Sequence, residues 1–255
     1  MLTTLTVALA MGTAAISGTP GSGCRISSPP QTQVLVELYT SQGCSSCPPA
    51  DKWLSQFDLQ ANPTVVPLAL HVGYWDYIGW KDPYARREFN ARQRWLAELN
   101  HNGTVYTPGV FVQSHETPRW YEAGNFNAAV RSLTAKPARA KIELAVEPAG
   151  ADKVQVRAQT TLAAEARGVD ARLFVALTES GLDTHVKAGE NRGATLRNDH
   201  VARDWSGPLA IGAQSVALAA PNAASAQRAV IAFVQDVATG EVLQAVRLPL
   251  VACTP

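Results

Sequence analysis

The stretch Val34-Leu35-Val36-Glu37-Leu38-Tyr39-Thr40-Ser41-Gln42-Gly43-Cys44-Ser45-Ser46-Cys47-Pro48-Pro49-Ala50-Asp51 decides how this chain is read. Its first six residues form a nearly continuous β-prone run, of the kind buried on both faces in a parallel sheet. Residues 50–59 then place Trp53, Leu54 and Phe57 on one helical face. Pro48 and Pro49 suit a helix start, where a missing N–H costs nothing. A second apolar run, residues 65–72, follows. Strand, cysteine-bearing turn, helix and strand together imply a right-handed crossover and a parallel pair.

The turn carries the chemistry. Cys44 and Cys47 are spaced to close a small disulfide ring, and a helix N-terminus offers unpaired N–H groups and partial positive charge that stabilise a thiolate. Such settings bring a cysteine pKa from about 8.5 down to roughly 3.5–7.5. One thiol can then attack a disulfide and the other resolve the mixed disulfide. Other readings stand beside this one. A structural zinc site needs four ligands, and no second cysteine pair is present. Haem attachment needs His directly after the second cysteine, where Pro48 stands. A purely structural local disulfide has the same spacing.

Outward from the turn, residues 74–80 are aromatic-rich, 83–99 look helical, and 109–113 are β-prone, with a partner strand expected around Trp120 and Tyr121. Residues 124–133 suit a closing helix, with Asn125 as a cap and Ala128, Ala129, Val130 and Leu133 inward. After Lys136-Pro137 the pattern changes. Short β-prone runs appear at residues 141–147, 154–160, 172–178, 184–188, 215–219, 228–235 and 242–250, which argues an antiparallel sandwich. A boundary is expected near residues 135–139, and the Ala-rich residues 217–229 read as a loop.

The 255 residues, 46% hydrophobic and 17% charged, supply ample core for one large domain or two ordinary ones. A formal net charge of +1 advertises no nucleic-acid or anionic-membrane partner. Residues 1–23 contain no charged side chain, and residues 5–16 have the length of a signal-peptide apolar region, too short to span a bilayer. Small residues suit cleavage after Ser17, although a basic residue near the start is missing. A short buried N-terminal helix is the other reading. Lipidation at Cys24 wants an aliphatic residue at position 21, where Gly21 stands. The expectation is a secreted or periplasmic protein with no membrane span, in an oxidising compartment.

The quoted stretch closely resembles the signature of a bacterial secreted family named domain of unknown function 1223. The likeness continues through residues 71–83, which include His71, Tyr74, Trp75, Asp76, Trp80 and Asp82, and through Val105-Tyr106-Thr107-Pro108. It reappears in Gly189-Glu190-Asn191-Arg192-Gly193, in Asp199-His200-Val201-Ala202-Arg203 and in Phe233-Val234-Gln235-Asp236. The resemblance implies an α/β thioredoxin-like domain, residues 31–136, followed by a mostly antiparallel β-sandwich domain, residues 139–253. It implies Cys44 as nucleophile, Cys47 as resolving thiol and Pro108 as a cis-proline beside which Thr107 can pair with an extended substrate. Glu37 corresponds to the buried carboxylate that thioredoxins keep beneath the cysteines, with one extra residue intervening; a salt bridge to an arginine is its other reading. Tyr74 and Trp75 belong to an insertion that reads as a peptide-binding wall or as plain packing. His71 is read as a proton-transfer group or as a buried structural histidine.

Cys24 and Cys253, near opposite ends of the mature chain, are candidates for a structural disulfide clasp; free thiols, an intermolecular bridge or lipidated Cys24 are the other readings. A loop that long would contribute on the order of 5 kcal/mol in the chain-entropy model. The polar residues Glu190, Asn191, Arg192, Asp199, His200 and Arg203 either meet the first domain or form a hydrogen-bonded loop. Three functions compete. The first is an extracytoplasmic thiol-disulfide oxidoreductase without a cofactor or metal, whose partners are cysteine-containing envelope proteins or a redox partner. The second is a copper-binding or copper-delivery protein using Cys44, Cys47 and His71. The third is an envelope binding module whose cysteines form a fixed structural disulfide.

Overall fold

The computed structural model of the chain describes residues 24–57, 59, 63–220 and 227–250. The expected leader, residues 1–23, and Cys253 lie outside the described residues, and with Cys253 lies the expected clasp to Cys24. In chain order the first half contains β1 (Cys24–Ser27), β2 (Val34–Thr40), α1 (Pro48–Ser55), β3 (Val65–His71), α2 (Arg87–Leu99), β4 (Gly109–Val112), β5 (His115–Glu116) and α3 (Ala123–Thr134). The second half contains β6 (Ala140–Pro148), β7 (Lys153–Leu162), β8 (Ala171–Glu179), β9 (Leu182–His185), β10 (Thr195–Asn198), β11 (Val201–Leu209), β12 (Ala213–Ala219), β13 (Arg228–Asp236) and β14 (Val242–Pro249). The protein is mostly β, with several antiparallel pairings.

β2 and β3 pair in parallel, from Val34 opposite Val65 to Thr40 opposite His71, and every residue of both strands is buried. That burial on both faces is why their sequences read as unbroken apolar runs. β4 lies antiparallel on the other side of β2. The partner of β4 is β5 rather than the segment around Trp120 and Tyr121, because Gln113 (φ 49°) and Ser114 (φ 66°) turn the chain back within two residues. Both turn positions are left-handed, as a two-residue hairpin of this type requires, and without an Asn-Gly signal the turn is hard to read from sequence.

The sheet does not stop at residues 135–139. It runs β14-β13-β8-β11-β3-β2-β4-β5, so strands of the second half continue the strands of the first. The junction is β11 against β3, parallel, with Val201 opposite Ala69 and the Ala69 N–H donating to the His200 carbonyl at 2.9 Å. A second sheet, β1-β6-β7-β12, is antiparallel throughout and packs on β8, β13 and β14 through Ile142, Leu144, Val156, Leu173, Val175 and Val230. β1 therefore belongs to this sheet, paired antiparallel with β6.

Strand alternation sorts the rest. Leu35, Tyr39, Leu68, Leu70, Phe174 and Phe233 face α2, which buries Phe89 and Leu96 against them. Val34, Val36, Leu38, Ala69 and Val110 face the other way, toward Ala50 and Leu54 of α1 and Phe126 of α3. β9 and β10 pair only with each other and form a separate hairpin. Among the described residues no helix is long and apolar enough to cross a membrane.

Candidate functional site

Cys44 and Cys47 form a disulfide at the start of α1, with Cys47 as N-cap and Pro48 and Pro49 in the first turn. Both are buried, Cys44 at 1% exposure, whereas Ser45 and Ser46 between them are exposed. The Thr107–Pro108 peptide bond is cis and stands beside the pair: Cys44 Sγ lies 3.7 Å from the Thr107 carbonyl oxygen. The Ser46 hydroxyl sits between them, 3.2 Å from Cys44 Sγ and 3.4 Å from that carbonyl. Trp75 is a wall of the site. Its indole N–H donates to the Thr107 hydroxyl at 2.7 Å, and a Cβ on Gly43 would stand 3.1 Å from its Cβ. Tyr74 points its hydroxyl to Gln93, 3.2 Å away, so it braces this wall from behind.

Glu37 is on the opposite face of β2. It shares parity with Leu35 and Tyr39, facing α2, whereas α1 and its cysteine pack on the face of Val36, Leu38 and Thr40. Its fully buried carboxylate is held by Arg92, with Nε at 2.7 Å from one oxygen and a terminal nitrogen at 3.0 Å from the other, and accepts from the Tyr39 hydroxyl at 3.1 Å. Arg92 also donates to Gln235 at 3.0 Å and lies over the rings of Phe174, Trp205 and Phe233. Its pair with Glu37 thus ties together strands from the two halves. The salt-bridged reading of Glu37 describes this geometry. The extra residue before Cys44 is the reason: a one-residue change in a strand moves a side chain to the other face.

Asp51, Thr40, His71 and Asp82 form a buried, mutually interacting polar group between α1 and the sheet. Asp51 lies one turn beyond Cys47 on α1, and its pKa is raised to about 6, chiefly by burial, with His71 and Thr40 opposing the rise. It borders a cleft of about 630 Å³ shared with Lys52, Ser55, Arg197 and His200. Sequence reasoning passed over Asp51, although its i+4 spacing from the second cysteine was legible. The fully buried His71 has Nδ1 2.7 Å from Asp82, while Nε2 has no hydrogen-bond partner among the described residues. Burial opposes the charged imidazole, but the Asp82 and Asp51 carboxylates outweigh it and raise its pKa. Burial likewise opposes the Asp82 carboxylate, yet His71 and the N–H groups of Gln42 and Tyr84 lower its pKa overall.

Asp82 also accepts the Gln42 N–H at 2.8 Å, which links the histidine to the cysteine loop. Gln42 is further fixed by the Trp80 indole, which donates to it at 3.2 Å, and by its own amide, which donates to Asn198 at 2.8 Å. The polar patch of the second half meets the first. Asn191 donates to the carbonyls of Gln42 and Cys44, each at 2.9 Å, and Glu190 accepts the Ser45 N–H at 2.8 Å. Among the described residues no group of three or more His, Cys, Asp and Glu side chains is arranged to hold a metal ion.

A mostly β fold with a Cys-Ser-Ser-Cys disulfide at a strand-helix turn, roofed by a hairpin from the second half, is the class that these features define. The chain belongs to the family described as "Protein of unknown function (DUF1223)", which matches residues 35–235. Protein AGR_C_4864 from Agrobacterium tumefaciens is similar in structure, with 24% identity, a TM-score of 0.60, and coverage of 86% of this chain and 94% of that one. HBP35 of Porphyromonas gingivalis is also similar, with 14% identity, a TM-score of 0.62, and coverage of 87% and 76%. No curated protein matches the sequence.

Proposed function

We propose that this protein is an extracytoplasmic thiol-disulfide oxidoreductase with a thioredoxin-like first half, acting on cysteines of other proteins. The observation that carries the reading is the Cys44–Cys47 disulfide at the N-terminus of α1, with Cys44 against the Thr107 carbonyl. The order β2, α1, β3, α2, β4, β5, α3, with β2 and β3 parallel and β4 and β5 antiparallel, supports the thioredoxin-like assignment. The charge-free run in the leader and the sparse cysteines support an oxidising, extracytoplasmic setting.

In the reducing direction, the Cys44 thiolate attacks one sulfur of a substrate disulfide. That S–S bond breaks, and the departing substrate thiolate takes a proton from water. Cys47 then gives its proton to the Asp51 carboxylate and attacks Cys44 Sγ, which releases the second substrate thiolate and leaves Cys44–Cys47 oxidised. Two electrons pass from the dithiol to the substrate. The oxidising direction is the same sequence reversed. A carboxyl with a pKa of about 6 is matched to this exchange near neutrality, and the Ser46 hydroxyl is placed to donate to the Cys44 thiolate.

The test is a Cys47→Ala chain, in which mixed disulfides through Cys44 accumulate. No mixed disulfide together with an unreactive Cys44 overturns the proposal in favour of a structural disulfide. The reduction potential of the couple gives the direction: about −120 mV marks an oxidant and about −270 mV a reductant.

A further inference from the structure

In the described arrangement Cys44 is out of reach. Its exposure is 1%, yet attack on a protein disulfide requires an approach along the sulfur axis. The backbone that carries it is held partly by the hairpin β9–β10, more than 140 residues further along the chain. The residues between β9 and β10 reach over the cysteine loop and grip its backbone at three points: the Gln42 carbonyl, the Cys44 carbonyl and the Ser45 N–H. Trp75 closes the side next to Gly43.

The hairpin is built for this contact. Gly189 (φ 74°) lets its backbone press onto the aromatic insertion, since a Cβ there would stand 3.3 Å from Trp80 Cβ and 3.4 Å from Ile78 Cδ1. β9 and β10 share only four paired positions, Leu182 with Asn198 through His185 with Thr195, and join no other sheet. A two-stranded ribbon of that size is marginal without support. Its base is anchored by the fully buried Val186, by Leu182 against the α1-side core, by Asn198, which accepts from the Gln42 amide at 2.8 Å, and by Tyr84 Oη with Thr184 Oγ1 at 3.1 Å, whereas its tip is held on the cysteine loop by the two contacts of Asn191 and the one of Glu190. These contacts can exchange for water or for a partner's backbone at modest cost, because each is a net contribution of about one ordinary hydrogen bond.

We propose that Asn191 and Glu190 are positioning residues that gate the Cys44–Cys47 couple: they latch the β9–β10 hairpin over Cys44, and an incoming protein segment must displace the latch before its sulfur reaches Cys44. The inference rests on the redox reading of the cysteines for its purpose but on the latch geometry for its substance. Glu190 has a second effect. Its carboxylate occupies the Ser45 N–H, one of the donors that would stabilise the neighbouring thiolate, and its own pKa is lowered by that contact.

The experiment uses the full chain carrying Cys47→Ala, so that Cys44 is a free thiol, and compares it with the same chain carrying Asn191→Ala, Glu190→Ala or Glu190→Gln. Alkylation of Cys44 is followed with iodoacetamide and with a bulky polyethylene-glycol maleimide. Asn191→Ala is expected to speed the bulky reagent by about tenfold, with Glu190→Ala acting in the same direction, and to speed the small one much less. Glu190→Gln, which can still accept the Ser45 N–H, should keep the bulky reagent slow while moving the pH midpoint of iodoacetamide labelling downward, because a negative charge near the thiolate is gone. A structural role alone would lower the melting temperature and leave the bulky-to-small ratio where it was.

An unchanged ratio in both alanine variants overturns the latch, including the case in which Cys47→Ala alone already traps partner proteins as fast as the latch variants do. If the ratio rises while neither the single nor the combined variants trap any mixed disulfide, the latch stands and the oxidoreductase reading falls.

Discussion

Asp51 donates its backbone N–H to the Cys47 carbonyl at 3.1 Å, which sets its carboxyl one helical turn beyond the resolving sulfur, on the face of α1 turned to the sheet. The same helix therefore carries the thiol that must lose a proton and a buried acid that can take it. In the proposed mechanism the acid-base partner is Asp51 rather than a carboxylate on β2.

Burial of that carboxyl has a cost that can be measured. The Asp51 pKa is raised from 3.8 to about 6, so between those pH values the folded chain binds more protons than the unfolded one. Stability contributed by this group is therefore greatest at low pH, falls as pH rises through that window, and stays diminished above it. Asp51→Asn should raise unfolding stability at pH 8 by roughly 2–3 kcal/mol and change it little at pH 3. The same variant should slow resolution of a Cys44 mixed disulfide. Urea titrations at the two pH values check the first part; equal stability of the two chains at pH 8 would remove the case for a buried acid.

Glu37 and Arg92 form a pair whose loss is asymmetric. Arg92→Leu strands a carboxylate in an apolar layer and is expected to cost about 3–5 kcal/mol, whereas Glu37→Gln with Arg92→Leu should recover part of it. Glu37→Gln alone should leave the pH profile of Cys44 alkylation in place. A displaced profile would restore Glu37 to the acid-base machinery.

His71 and Asp82 titrate against each other. The raised His71 pKa gives stabilisation that is fully present below the ordinary 6.5 and lost as pH rises through the higher folded value. The lowered Asp82 pKa gives stabilisation that is present above the ordinary 3.8 and lost as pH falls. Asp82→Asn should therefore be most destabilising between those two ordinary values, by about 3 kcal/mol, with the difference shrinking at either end. Denaturation across a pH series reads it directly, and a flat difference would show that the pair is not ionised in the folded chain.

The opening strand-turn-helix-strand unit was readable because local physics dominates there: continuous apolar runs for β2 and β3, and two prolines fixing the start of α1. Strands β10 and β11 were harder to read, since Arg197, Arg203 and Asp204 interrupt any apolar alternation and find partners in Asp183, Glu179 and Arg86. The β4–β5 turn was missed because its left-handed positions are taken by Gln113 and Ser114 rather than glycine. Glu37 had two readings, a carboxylate beneath the cysteines and a salt bridge to an arginine, and its parity with Leu35 and Tyr39 on β2 agrees with the second.

Local pattern was enough to put two cysteines at the first turn of a helix fed by a buried strand, to place Thr107-Pro108 after them in the order of the resembled family, and to expect β-rich structure after the first half. These are properties of residues adjacent in the chain, where sterics, helix capping and periodicity act over a few positions. Packing of the whole chain is what sets β11 beside β3, Arg92 on Glu37, His71 on Asp82 and Asn191 on the Cys44 carbonyl. Those are pairings of groups 11 to 147 positions apart. Register and complementary burial select such pairings when the whole chain packs, and no local pattern encodes them.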